Sequence, residues 1–166
     1  DIDWLLAQGH AVCAMELSGK AVAELLVRQS GVVQRTPLAS GLTLHEVGRL
    51  RVYEGDFFAL TPAMLPPVDA VYDRAALVAL PADMRRAYVS HVQTLSRGAA
   101  QLLLTLEYAQ DEMNGPPFSV SAQEVVMHYG ARTCLCLERH AILEYEPRFA
   151  ARGVTALHEV VWSIGP

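Results

Sequence analysis

Short apolar runs that each close on a charged residue, most of them followed by a helix, constrain this chain more than any other feature. Residues 11–15 (AVCAM) close on Glu16 and Leu17, and Ser18 then caps a helical face traced by Val22, Leu25 and Leu26 that ends near Gly31. Residues 70–72 (AVY) close on Asp73 and Arg74, with a helix beginning at Pro81, in the first helical position, and running to Leu95 before Gly98. Residues 101–108 (QLLLTLEY) form the strongest strand signal and end on Glu107 and Tyr108. Continuous apolar runs are the mark of strands buried on both faces. Strand and helix alternating at this spacing predict an α/β fold with a mostly parallel sheet.

The remaining segments fit around that frame. Residues 2–8 carry an apolar helical face that stops at Gly9, and residues 32–48, with Pro37 and Gly41, are predicted to be irregular. Residues 50–54 alternate as a short strand. Gly115, Pro116, Pro117 and Phe118 form a rigid loop, and Ser121 with Glu124 makes a capping box for a helix to Tyr129. Strands over 133–138 and 157–164 close the chain, joined by a loop over 144–153. The 166 residues are enough to bury about 70 % of the unfolded surface, so residues 1–166 are read as a single domain.

Composition excludes several classes of function. At 52 % hydrophobic and 19 % charged, the chain is too apolar for disorder. No apolar run reaches the ~20 residues of a membrane helix. The net charge of −5 is interspersed, without the basic stripe of a nucleic-acid binder. Three cysteines and no leader-like segment point to the cytoplasm. Cys134 and Cys136 read as small buried hydrophobes, and the six histidines show no metal-ligand spacing. A monomer acting on a small molecule, with no nucleic-acid or membrane partner, is expected.

Ligands of open α/β sheets bind beyond the carboxyl ends of the strands. Glu16, Asp56 with Phe57, Asp73 with Arg74, and Glu107 with Tyr108 fall there. A carboxylate after the second strand of such a fold has two acceptor oxygens for ribose hydroxyls, although Glu16 equally suits the N-terminus of the helix after Ser18. Asp56 beside Phe57 suits an adenine, an acceptor for the amine next to a ring. Asp73 and Arg74 read either as a structural ion pair or as a guanidinium for an anionic substrate atom. Arg148, between Pro147 and Phe149, reads by itself as a solvated side chain.

Together, Met15–Ser18 (MELS), residues 69–80 (DAVYDRAALVAL) and residues 115–120 (GPPFSV) resemble the thiopurine S-methyltransferase family, in register through the whole chain. Residues 136–140 (CLERH) and 160–162 (VVW) resemble its bacterial members. The resemblance implies a Rossmann-like class I methyltransferase, a three-layer sandwich with a mostly parallel sheet. It implies S-adenosyl-L-methionine as cofactor and aromatic or heterocyclic thiols, thiopurines among them, as substrates, with selenium or tellurium compounds also possible. Carried over, Glu16 holds the cofactor ribose, and Asp56 and Phe57 flank the adenine. Arg74 lies near the cofactor carboxylate and the substrate. Pro116, Pro117 and Phe118 line the substrate pocket, and Arg148 faces the thiol; Arg74 and Arg148 are the catalytic candidates. No metal is implied.

The resemblance also sets a departure. Family members open with a Trp-containing segment, a first strand and a glycine loop, whereas Asp1 and Trp4 align with the helix that follows them. The chain is therefore expected to lack its first strand and glycine loop, as an N-terminal truncation that binds cofactor weakly if it stands alone. The alternatives are a methyltransferase for halide or small thiol ions, a nicotinamide-dependent oxidoreductase with Glu16 on the ribose, and a non-catalytic methyltransferase-like fragment.

Overall fold

The computed structural model describes residues 1–165, which fall into two units, Asp1–Leu65 and the remainder from Pro66. In the first unit, α1 (Ile2–Ala7) stops at Gly9, whose φ of 94° suits a residue without a side chain. β1 (Val12–Glu16) follows, then α2 (Gly19–Val27), N-capped by Ser18, whose hydroxyl accepts from the Ala21 amide at 3.4 Å. β4 (Leu50–Glu54) lies parallel to β1, with Val12 opposite Leu50 and Glu16 opposite Glu54. Val22 and Leu25 of α2 pack on Val47, Leu50 and Val52, and Ile2, Leu6, Val12 and Ala14 close the cluster. Each such fully buried side chain contributes about 1.5–3 kcal/mol.

Residues 32–48 are not irregular. They form β2 (Gln34–Pro37) and β3 (Thr43–Val47), which complete a sheet ordered β1-β4-β3-β2. β2 is exposed along its whole length and reads QRTP, so it carries no alternation to betray it. It is an edge strand, where a proline is tolerated.

The second unit runs β5 (Ala70–Asp73), α3 (Ala76–Ala79), α4 (Ala82–Ser96), β6 (Ala100–Glu107), α5 (Ala122–Tyr129), β7 (Cys134–Ala141), α6 (Pro147–Ala150) and β8 (His158–Ile164). Its sheet is ordered β5-β6-β8-β7. Leu103 and Thr105 of β6 and Val160, Trp162 and Ile164 of β8 are buried on one face, with the Trp162 indole N–H donating to the Thr105 hydroxyl at 3.0 Å. On the other face Tyr72 and Leu102, paired across β5 and β6, stay 40 % exposed.

The α/β class stands, but the expected mostly parallel sheet does not. Among the described residues, four of the six strand pairings are antiparallel; only β1 with β4 and β5 with β6 run parallel. Parallel pairing needs a crossover of a dozen or more residues. α2 with the β2–β3 hairpin, and α3 with α4, supply such crossovers. Residues 38–42, and Gly48 with Arg49, are too short and turn the chain back on itself.

Smaller expectations also shift. Pro81 occupies the N-cap of α4, with φ −64° and ψ 154°, rather than its first turn. Cys136 is exposed and Cys134 only half-buried, because β7 is an edge strand with a bulge between Cys136 and Glu138. The connection over 144–153 contains α6 instead of running as a plain loop. Among the described residues no helix is long and apolar enough to cross a membrane.

Candidate functional site

The parallel register of β1 and β4 brings Glu16 to Glu54, and the Gly55 amide donates to the Glu16 carbonyl at 3.0 Å. Glu16 is half-buried, and its Oε1 accepts from the Ser18 amide at 2.7 Å, against the first turn of α2. The helix-partner reading of Glu16 is thus realised through one oxygen. Glu54 was not anticipated. Its Oε2 meets the buried His45 Nε2 at 2.7 Å, and its Oε1 lies 2.7 Å from where a Cβ on Gly19 would stand. Gly19 therefore lets the Glu54 carboxylate approach the start of α2, where any side chain would collide with it.

Asp56 follows β4. Its Oδ1 accepts from the Phe58 amide at 2.9 Å, which caps the short 3-10 turn Phe57–Ala59. Phe57 is half-buried and meets Phe58 edge-on, with centroids 5.5 Å apart. Glu16, Asp56 and Phe57 thus lie at the carboxyl ends of two hydrogen-bonded neighbouring strands.

In the second unit, Asp73 ends β5 at 4 % exposure. Its Oδ2 accepts from the Tyr88 hydroxyl at 2.8 Å and its Oδ1 from the Ala76 and Leu77 amides. Burial pushes its carboxyl above the usual aspartate range, with those hydrogen bonds pulling it back. Burial, together with the Asp73 charge, pushes the Tyr88 phenol far up as well. Asp73 is thus an anchor for the turn that carries Arg74, which is exposed between β5 and α3.

The loop of Pro116, Pro117 and Phe118 is tied from three directions. The Phe118 amide donates to the Val78 carbonyl of α3 at 2.6 Å. The Tyr108 hydroxyl donates to the Pro117 carbonyl at 2.7 Å. Arg152 Nη1 reaches the Pro116 carbonyl at 3.5 Å. Tyr108 also meets the buried Phe149 edge-on at 6.3 Å, so α6 and its Arg148 are held to the same end of the sheet. The Arg148 side chain is 75 % exposed, donates from Nε to Glu146 at 2.8 Å and lies 5.5 Å above the Phe149 ring.

In the second unit Tyr108 and Phe149 thus link the loop of Pro116, Pro117 and Phe118 to α6, which carries Arg148, and the Phe118 amide links that loop to α3, which follows Arg74. An apolar wall beside guanidinium groups suits an aromatic acceptor that carries negative charge. Carboxylates beside an aromatic edge, as in the first unit, suit a nucleoside. Arg152 and the buried Arg85 of α4, whose guanidinium donates to the Ser119 carbonyl next to this loop at 3.1 Å, are residues to which sequence reasoning gave no role, whereas Tyr108 was placed at its strand end. Arg85 did leave a signal, a charge on the helical stripe of positions 85, 88, 89, 92 and 95 that is otherwise apolar.

A family model described as thiopurine S-methyltransferase matches residues 1–165. The thiopurine S-methyltransferase of Nitrosomonas eutropha is 43 % identical over 166 residues, covering 99 % of this chain and 75 % of that protein. Its namesake in Bordetella petrii is 41 % identical over the same coverage. That of Xanthobacter autotrophicus is 49 % identical over 131 residues, 79 % of this chain and 61 % of its own. Among solved structures, the 1,6-didemethyltoxoflavin-N1-methyltransferase of Burkholderia thailandensis matches with a TM-score of 0.43 and 15 % identity, over 96 % of this chain and 73 % of its own.

Proposed function

This chain belongs to the thiopurine S-methyltransferase family, enzymes that take a methyl group from S-adenosylmethionine, and from that premise we propose that it methylates the sulphur of aromatic or heterocyclic thiols, thiopurines included. Selenium and tellurium compounds fall within the same reading, because their anions are soft nucleophiles of the same kind. The protein works as a monomer in the cytoplasm on small molecules.

The cofactor supplies an activated methyl on a sulfonium sulphur. The residues present suit it. Glu16 offers Oε2 to the ribose hydroxyls. Asp56 and Phe57 flank the adenine, Asp56 as acceptor for the exocyclic amine and Phe57 as a ring against the base. In the second unit, the Arg74 guanidinium keeps its charge and suits an anionic group of a ligand, the thiolate among them.

The reading is supported by the tie of the loop of Pro116, Pro117 and Phe118 to Tyr108, whose ring meets Phe149 beside Arg148 on α6. Methyl displacement from a sulfonium needs alignment and an anionic sulphur rather than a metal or a covalent nucleophile. Arg148 and Arg74 favour the thiolate by opposite charge, so the thiol proton passes to solvent before the new carbon–sulphur bond forms. The prolines and Phe118 keep water from that sulphur and leave it reactive.

Replacing Arg148 by Ala tests the assignment. Turnover of an aromatic thiol is expected to fall about tenfold or more, with little change in the affinity for S-adenosylmethionine measured by calorimetry. Equal loss of both overturns the role given to Arg148. Iodide and hydrosulfide, offered as acceptors in the same assay, separate a halide or thiol-ion methyltransferase from one for aromatic thiols.

A further inference from the structure

Arg85, on α4, is 2 % exposed, and a buried guanidinium persists only where its donors and its charge are matched. Its Nε donates to the Leu80 carbonyl at 2.9 Å, and its Nη1 to the Ser119 carbonyl at 3.1 Å and to both Glu124 oxygens at 2.7 and 2.8 Å. Glu124 sits in the first turn of α5, where a capping box would send its carboxylate back to Ser121. Ser121 does cap the Glu124 amide at 3.2 Å, but the Glu124 carboxylate is turned to Arg85 and to His128. Arg85 therefore joins the end of α3, the segment after Pro117 and the start of α5.

The same guanidinium lies 5.7 Å from the centroid of the Phe118 ring. On Gly115, whose φ is 70°, a Cβ would collide with one edge of that ring. Phe118 is thus held between the Gly115 backbone and a cation, with its amide pinned to Val78 at 2.6 Å.

We propose that Arg85 is a positioning residue for the acceptor: by stacking on Phe118 and clamping Ser119 to Glu124, it sets the plane of the aromatic wall against which a flat thiol lies. The inference rests on the proposed S-methylation and extends it to a residue outside the pocket. Lysine keeps the charge but loses both the flat stacking surface and the fork of donors. Arg85→Lys should therefore raise KM for an aromatic thiol about five- to tenfold, with kcat within about twofold and KM for S-adenosylmethionine unchanged.

The test is a double-mutant cycle with Phe118→Leu, read in kcat/KM for the thiol. If Arg85 acts through the ring, the double variant is no worse than Phe118→Leu alone; additive losses overturn the inference. Should Arg85→Lys fail to fold, Glu124→Gln, which loosens the clamp and leaves Arg85 in place, is expected to raise the thiol KM in the same direction. An unchanged thiol KM there overturns the inference too. A melting temperature that falls in either variant while the thiol KM stays put marks a structural role only and counts against it. Wild-type protein that methylates no thiol overturns the proposed function, whereas a wild type that does so, with variants of unaltered thiol KM, overturns the Arg85 inference alone.

Discussion

Asp73 shows how much one side chain is asked to do. It ends β5, accepts from the Tyr88 hydroxyl and from two backbone amides, and fixes the turn that presents Arg74. Burial raises its pKa above the ordinary value of 3.8, so over a range of pH the native chain holds a proton that the unfolded chain has released. Stability from this group is fully present below the unfolded value and is lost as pH rises through the raised one. The melting temperature of the wild type, measured against Asp73→Asn, should therefore fall as pH climbs upward from about 3.8. A difference that stays flat or grows over that interval would show that Asp73 is not held protonated by burial. Gly115 is a residue of the opposite kind, needed for what it lacks, because its positive φ and the Phe118 ring leave no place for a side chain.

At the scale of the element, α5 and the loop before it act together. Ser121 caps α5 while Glu107 accepts from the Ala122 amide at 3.0 Å, so the first turn of α5 is tied to the end of β6. Ser121→Ala should cost about 1 kcal/mol in urea unfolding; an unchanged midpoint would mean that Glu107 alone suffices as the cap. The elements legible in the sequence were those with a local signal. β6 announced itself by its apolar run, α4 by Pro81 and the periodicity behind it, and α2 by Ser18. β2 and β3 were missed because QRTP has neither alternation nor apolar weight, and its strand exists only through pairing with β3. The exposure of Cys136 was missed for a related reason: whether a strand lies at an edge is a property of the sheet.

At the scale of the molecule, the strand-end positions of the candidate residues were legible, since place after an apolar run locates Glu16 and Arg74, and place after an alternating one locates Asp56. The contacts that give those positions a shape were not. Tyr108 meets Phe149, and Arg85 meets Glu124, across stretches of sequence that only the folded second unit brings together. Arg148 illustrates the difference: alone it is a solvated side chain, and the structure leaves it largely exposed, but α6 holds it to the Pro117 loop through Phe149 and Tyr108. The net charge of −5 is compatible with small-molecule chemistry and says nothing of the substrate.

The most direct measurement is the fate of the methyl group. The protein is incubated with S-adenosylmethionine carrying a trideuterated methyl, at a concentration that fills even a weak site, together with an aromatic thiol such as a mercaptopurine. Mass spectrometry then locates the label. The expected result is a trideuteromethyl group on sulphur, formed in step with S-adenosylhomocysteine. Label on a ring nitrogen, or no labelled thiol at all, would contradict S-methylation as the activity of this protein.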